Sequence, residues 1–156
     1  VDNHTFISHN VARCESNEMF KYVLNDQSVG AFAGKVLVKE NCPRTVAYQG
    51  NRNIVASADA KMYSKPQLEI YTDDVKCSHG SATGQLNEEA LFYMRSRGIS
   101  EAEARQLLMQ AFMSDVIDAV RLPALKDRLH HLVEKRFRGQ LAMCADCTAA
   151  NCAAAK

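Results

Sequence analysis

The sequence lacks several features that mark common functions. It has no tryptophan, no run of eighteen apolar residues, and no cationic start followed by an apolar core. We therefore expect neither a membrane span nor a signal peptide. A glycine-rich phosphate loop, a Gly-x-Ser-x-Gly elbow and a His-Glu-x-x-His helix are also missing, so nucleotide hydrolysis, esterase and zincin chemistry lack their usual residues.

An excess of charge of one sign is also missing, since 19 Lys and Arg residues balance 18 Asp and Glu residues in a chain of 156. A nucleic-acid or anionic-membrane partner is therefore not expected. This length is that of one ordinary domain or of part of a larger one. The chain opens without methionine, as expected of an excised fragment or a processed chain.

The six cysteines are unevenly spaced, and no secretory signal precedes them. We interpret them as reduced thiols of a cytoplasmic protein and not as a disulfide framework. Three of them, Cys144, Cys147 and Cys152, lie near the end of the sequence. These three could hold zinc or an iron–sulfur cluster, but a closed structural site takes four ligands. A flexible tail over 141–156 is the favoured interpretation.

Up to about Leu86 the pattern predicts short β-strands. Apolar residues come in short runs separated by turn formers such as Asn25-Asp26 and Gly50-Asn51. The predicted strands are 5–8, 19–24, 30–38, 45–49, 53–57, 61–64 and 67–72, with Pro66 at the start of the last. No Asn-Gly or Asp-Gly hairpin signal joins neighbours, which favours a parallel β-solenoid with coils of roughly twenty residues.

Over 87–140 the apolar residues recur at helical spacing, which predicts a small helical domain. Asn87 is the expected N-cap of the first helix, and Gly98 is expected to follow its end in the left-handed conformation. Leu91, Phe92 and Met94 are expected to pack. A third helix is expected to begin at Pro123 and to end before Gly139, with His130 and His131 in solvent or capping roles.

The second helix is apolar around most of its circumference. It opens with a capping box, Ser100-x-x-Glu103, and its polar residues form only a narrow stripe. A helix that lies on a single core normally shows one apolar arc, so this helix needs a second burial surface. Either the neighbouring helices supply that surface, or part of the face docks a partner protein.

The switch from strands to helices contains the one place where a thiol and an imidazole are two residues apart, Cys77-Ser78-His79. In an extended segment Cys77 and His79 project from the same face, and Lys76 and Ser78 project from the other. A soft and a borderline ligand side by side suit iron, zinc or sulfur chemistry. The structural alternative is a buried thiol beside a histidine that is satisfied by the backbone.

A second candidate is the pair Asp73-Asp74, which could serve as the carboxylates of a polysaccharide-cleaving β-solenoid. Adjacent strand residues face opposite ways, however, so the two carboxylates cannot converge on one sugar. A turn is therefore the favoured interpretation of this pair.

The stretch from Gln67 to Ile99 is long and distinctive enough to be compared with known families. It reads QLEIYTDDVKCSHGSATGQL and then, after Asn87, EEALFYMRSRGI. This stretch resembles the C-terminal part of proteins of the SufD family. These proteins are subunits of the SufBCD complex for iron–sulfur cluster assembly. The likeness extends upstream to 48–53 and downstream to Ser100–Val116, and it covers the chain up to about residue 138. Members of the family are much longer, so the chain is similar to their last third.

The resemblance implies a right-handed parallel β-helix over 1–86, followed by the helical domain over 87–140. It also implies that the subunit pairs with its paralogue SufB across the ends of the β-helices and docks the ATPase SufC. Docking SufC would give the second helix its second burial surface, formed by Leu108, Phe112, Met113 and Val116. The family's histidine in Cys-Ser-His-Gly, here His79, is implicated in assembly of the nascent cluster at the SufB interface, with Cys77 beside it.

The sequence therefore predicts a non-catalytic, cytoplasmic scaffold subunit. The nascent iron–sulfur cluster is expected only transiently, in the full complex, and none is expected in the isolated fragment. Around 49–53, where the sister subunit SufB is expected to carry a cluster-related cysteine, this chain has none. The alternatives are a β-solenoid enzyme acting on a polymer and a plain oligomerising module, including a homodimer formed through an exposed solenoid end.

Overall fold

The computed structural model describes residues 1–140, which fall into two compact units. The first unit is Val1–Ile99 and the second begins at Ser100. The first helix therefore belongs to the same unit as the strands, whereas the sequence pattern places a division at residue 86. The part of the chain so described has no helix that is long and apolar enough to cross a membrane.

The strands of the first unit alternate between two parallel sheets. They are β1 (Asp2–His9), β2 (Glu15–Leu24), β3 (Val29–Val38), β4 (Val46–Val55), β5 (Lys61–Ile70) and β6 (Lys76–Gly84). Sheet A has the order β1-β3-β5 and sheet B the order β2-β4-β6. The parallel pairing of the strands confirms that part of the prediction, but the predicted repeat of roughly twenty residues is wrong. Asp2 lies opposite Ala31 and Val29 opposite Lys61, so the repeat is 29 to 32 residues and not about twenty.

The strands are longer than the sequence pattern predicts. Gly50-Asn51 is not a turn but lies within β4, which joins the two segments predicted at 45–49 and 53–57. A Cβ at position 50 would lie 2.6 Å from Cε of Met19, so glycine leaves the room that this side chain occupies. β6 is a strand that the pattern does not predict, because most of its residues are small or polar.

Pro66 lies inside β5, not at the start of a strand. The amides of Lys61 and Tyr71, at the two ends of β5, donate to carbonyls of Ser28 and Val38 on the β3 side. Amide direction alternates along a strand, so the nitrogen of Pro66 faces away from β3. β5 is an edge strand of sheet A, and a proline there costs no ladder hydrogen bond.

An apolar cluster holds the two sheets together near the ends of β2 and β4. It consists of Tyr22, Leu24, Phe32 and Ala60, with Phe20, Val55 and Met62 packed against it. The rings of Phe20 and Phe32 lie 4.9 Å apart between centroids. Each large side chain buried in this way contributes about 1.5–3 kcal/mol. The cluster thereby holds β2 and β4 of sheet B against β3 and β5 of sheet A.

The helices are α1 (Glu88–Ser96), α2 (Glu101–Asp118) and α3 (Pro123–Phe137), as the capping signals predict. Asn87 Oδ1 accepts from the amide of Ala90 at 2.9 Å, and Ser100 Oγ accepts from the amide of Glu103 at 3.3 Å. The glycines that follow α1 and α3 have φ of +87° and +69°. One packing prediction for α1 is wrong. Leu91 is buried, but Phe92 is 73% exposed.

Candidate functional site

Cys77 and His79 lie on the inner face of β6. In the register of sheet B, Cys77 is opposite Ala47, His79 is opposite Gln49 and Ser81 is opposite Asn51. The three residues on β4 are buried, so this face points between the two sheets. Because β6 is an edge strand of sheet B, Cys77 is only half-buried and His79 is exposed.

A buried network of polar side chains holds β6 against the rest of the unit. Asn51 and Asn53 exchange side-chain amide hydrogen bonds of 3.0 and 2.7 Å. Asn51 Oδ1 also accepts from Ser64 Oγ at 2.7 Å and from Ser81 Oγ at 3.3 Å. Asn53 Nδ2 donates to Thr83 Oγ1 at 3.1 Å. The network connects β6 to β4 and to β5, and it therefore sets the direction in which the inner face of β6 points.

A row of three polar residues crosses sheet B through His79. Glu18 on β2 is opposite Gln49, and Gln49 is opposite His79. Gln49 Nε2 donates to Glu18 Oε2 at 2.7 Å, and Gln49 is only 3% exposed. Its Oε1 is buried and has no hydrogen-bond partner among residues 1–140. A buried acceptor without a partner costs about 1–3 kcal/mol.

The thiol of Cys77 is not a ready thiolate. Burial raises its pKa above the ordinary value, and a hydrogen bond with the backbone of Ala47 opposes this in part. The thiol is therefore protonated at neutral pH and must lose its proton when it binds a metal.

The site offers few ligands by itself. No group of three or more His, Cys, Asp or Glu side chains within residues 1–140 is placed to hold a metal ion. Cys77 and His79 are two positions apart on one strand, which separates their Cα atoms by about 6.6 Å. Together they supply one sulfur and one nitrogen donor, a set that suits iron but does not close a four-ligand site.

The other sequence candidates fall elsewhere. Asp73-Asp74 lies in the connection between β5 and β6, where Asp74 has a φ of +57°, so the turn interpretation is confirmed. His130 Nε2 lies 3.3 Å from Asp118 Oδ1, and His131 is exposed. The three cysteines at 144, 147 and 152 lie outside the described residues.

The proposed docking face of α2 is only partly covered. Half-buried side chains make up this face, namely Leu108, Phe112, Met113 and Val116. The buried residues of α2 are Ala104, Met109 and Ile117. Leu107, on another side of the helix, is 41% exposed.

The sequence reasoning missed Gln49, Asn51 and Glu18. A signal for two of them was present, since Gln49, Asn51 and Asn53 alternate with other residues at the period of a strand. The sequence pattern predicts a turn at Gly50-Asn51, between the strands predicted at 45–49 and 53–57, because Asn51 does not continue an apolar stripe. The structure shows instead that all three polar residues are buried in the interior and that Asn51 and Asn53 hydrogen-bond to each other.

Comparison with known proteins gives consistent matches. A family model described as "SUF system FeS cluster assembly, SufBD core domain" matches residues 1–112. The iron-sulfur cluster assembly protein SufD of Escherichia coli (strain K12) is 36% identical over 138 residues, which cover 88% of this chain and 33% of that protein. An iron-sulfur cluster assembly SufBD family protein of Synechocystis sp. is 39% identical over 135 residues, covering 86% and 30%.

A plant protein matches over a similar stretch. Protein ABCI7, chloroplastic, of Arabidopsis thaliana is 35% identical over 135 residues, covering 86% of this chain and 28% of that protein. The chain therefore spans about a third of the length of the curated relatives it matches.

Proposed function

This chain belongs to the SufBD family of iron–sulfur cluster assembly proteins, and we propose that it is the C-terminal part of a SufD-type scaffold subunit. In this proposal the two parallel sheets are two faces of a right-handed β-helix, and the chain does no chemistry of its own. The cytoplasm is its proposed compartment, because Cys14, Cys42 and Cys77 are free thiols, as is usual in a reducing environment.

The substrate of this scaffold is the nascent cluster. Cys77 and His79 share the inner face of an edge strand, and this observation carries the proposal. Because the two residues leave the ligand set incomplete, a SufB-type paralogue supplies the remaining ligands at a shared interface. An imidazole binds iron less tightly than a thiolate does at soft sites, so His79 eases later transfer of the cluster.

The proposal is tested by reconstitution of the complete complex with His79→Ala. The expected result is a severalfold loss of cluster, measured as iron and sulfide per complex. His131→Ala is the matched control, because this histidine is exposed on α3. Equal cluster yields for His79→Ala and the unchanged complex would refute the role of His79.

The edge of β6 is the proposed contact with the paralogue. The amide of Lys76 donates to Thr45 on the β4 side, so the amides of Cys77, His79, Ser81 and Thr83 face the opposite edge. Unlike β5, this strand has no proline to block an added strand. Of the two edge strands β5 and β6, β6 is therefore the one that can accept an added strand.

A matched pair of variants tests this contact. Ser81→Pro removes the outward amide, whereas Ser81→Ala removes the same side-chain hydrogen bonds and keeps the amide. We expect Ser81→Pro to lose co-purification with the paralogue and Ser81→Ala to retain it. The same pair, measured by light scattering, shows whether isolated chains dimerise through this edge. Undiminished co-purification of Ser81→Pro would refute the contact.

The α2 face is the proposed dock for a SufC-type ATPase. Its half-buried apolar residues provide surface that a partner can cover. We expect Phe112→Arg to abolish co-purification with the ATPase, and Leu107→Arg, about 140° around the helix, to leave it intact. Circular dichroism must show that both variants are folded. Undiminished binding by folded Phe112→Arg would refute the dock.

A further inference from the structure

We propose that Gln49 is a positioning residue that orients the imidazole of His79. This inference rests on the proposed role of His79 as a ligand of the nascent cluster. It starts from the row of Glu18, Gln49 and His79, which occupy directly opposite positions on three neighbouring strands of sheet B.

The orientation of the Gln49 amide is fixed from one side. An ionised carboxylate can only accept hydrogen bonds, so the atom of Gln49 that lies 2.7 Å from Glu18 Oε2 is the amide nitrogen. Gly34 on sheet A leaves room for this arrangement, because a Cβ there would lie 2.5 Å from Gln49 Nε2. The amide oxygen of Gln49 therefore cannot turn toward Glu18.

That oxygen needs a donor. Gln49 is 3% exposed, and its Oε1 has no hydrogen-bond partner among residues 1–140. Opposite residues on neighbouring strands lie about 4.8 Å apart, so the register brings the ring of His79 within reach. Rotation of the exposed imidazole of His79 would let one ring N–H donate to Gln49 Oε1, while the other ring nitrogen keeps its lone pair for iron. Histidines that bind metals commonly donate their second ring N–H in this way.

The test is the tautomer of His79 in the full 156-residue chain, without any cluster. Long-range ¹⁵N–¹H spectra are recorded with ¹⁵N-labelled histidine at about pH 8.5, two units above the ordinary imidazole pKa of about 6.5. His79→Ala assigns the resonances. We expect Gln49→Met to change the tautomer ratio of His79 by about threefold to tenfold, the effect of one ordinary hydrogen bond.

The matched control is Gln67→Met, the same change at an exposed outward position of β5. This control must leave the ratio unchanged. A second variant, Gly34→Ala, substitutes no residue of sheet B but places a Cβ 2.5 Å from Gln49 Nε2 and 2.6 Å from Phe32 Cζ. It therefore displaces the amide of Gln49, and it is expected to change the ratio in the same direction. If Gln49→Met does not fold, Gly34→Ala alone tests whether Gln49 orients His79. An unchanged ratio in the folded Gln49→Met or Gly34→Ala variant, or an equal change in Gln67→Met, overturns the proposal.

A second readout comes from the complete complex. We expect Gln49→Met to weaken cluster retention by about tenfold to a hundredfold, the usual cost of losing such an orienting partner. The tautomer measurement needs no cluster. The tautomer ratio can therefore stay unchanged while His79→Ala still lowers cluster yield, which would refute only this inference. It can also change while His79→Ala has no effect on cluster yield, which would refute only the proposed function.

Discussion

Asn51 is the side chain on which the polar interior of the first unit depends. It is fully buried, and its Oδ1 accepts from Asn53, Ser64 and Ser81. We expect Asn51→Ala to lower the free energy of unfolding by about 2–3 kcal/mol, because the buried amide of Asn53 and the hydroxyls of Ser64 and Ser81 lose their partner. Urea titration followed by circular dichroism measures this change.

The control for that experiment is Asn17→Ala, which removes an exposed asparagine from β2. Its effect is expected to stay within about 0.5 kcal/mol. If Asn51→Ala shifts the transition no more than Asn17→Ala, the network does not stabilise the unit.

The raised pKa of Cys77 gives a pH prediction. A thiol whose folded pKa is raised keeps its proton longer in the folded state than in the unfolded state. Its contribution to stability is therefore present below the unfolded pKa and is lost as pH rises toward the folded pKa. The same shift slows alkylation, because only the thiolate reacts.

We therefore expect the rate of alkylation of Cys77 by iodoacetamide to rise with a midpoint above pH 9.0. Peptide mass spectrometry resolves this residue from the other cysteines. A free cysteine peptide under the same conditions is the control. A midpoint for Cys77 at or below that of the peptide would contradict the burial argument.

At this scale the sequence predicted part of the site. The period of a strand correctly placed Cys77 and His79 on one face, since that rule needs only local geometry. It could not find Gln49 opposite His79, because the register between β4 and β6 is set by contacts between residues 30 positions apart. Roles that depend on such pairing become visible only in the structure.

Among the elements, the helices were predictable and the strands were less so. The ends of the helices are marked by capping residues that act through hydrogen bonds within one turn. Their sequence signals are therefore local, as at Asn87, Ser100 and the glycines after α1 and α3. β4 was predicted as two strands because its inward positions are polar, and β5 because Pro66 interrupts it. Both strands are continuous for reasons that involve neighbouring strands. In β4 the inward amides hydrogen-bond within the interior, and in β5 the proline is tolerated because β5 lies at the edge of its sheet.

The N-cap of α1 gives a test at the scale of an element. Asn87→Ala removes the acceptor for the Ala90 amide and is expected to cost about 1 kcal/mol. Asn87→Gly is the matched comparison, and it is expected to cost only a few tenths of a kcal/mol. Thermal unfolding of both variants measures the difference. Equal losses would show that the cap hydrogen bond contributes little.

The whole molecule consists of two units whose proposed tasks differ. In the first unit, the inner face of β6 carries Cys77 and His79, and within residues 1–140 this strand lies at an edge of sheet B. In the second unit, α2 carries apolar surface that the described chain covers only in part. The chain spans about a third of its curated relatives, so both tasks have to be tested in the complete subunit and its complex.

The central claim is that the imidazole of His79 binds the nascent cluster. The most direct test is electron–nuclear double resonance of the reduced cluster in the complete complex, with ¹⁵N-histidine incorporated into this subunit only. The account predicts a ¹⁵N coupling that disappears in His79→Ala and persists in His131→Ala. A cluster that forms without any such coupling, or a coupling that survives His79→Ala, would contradict it.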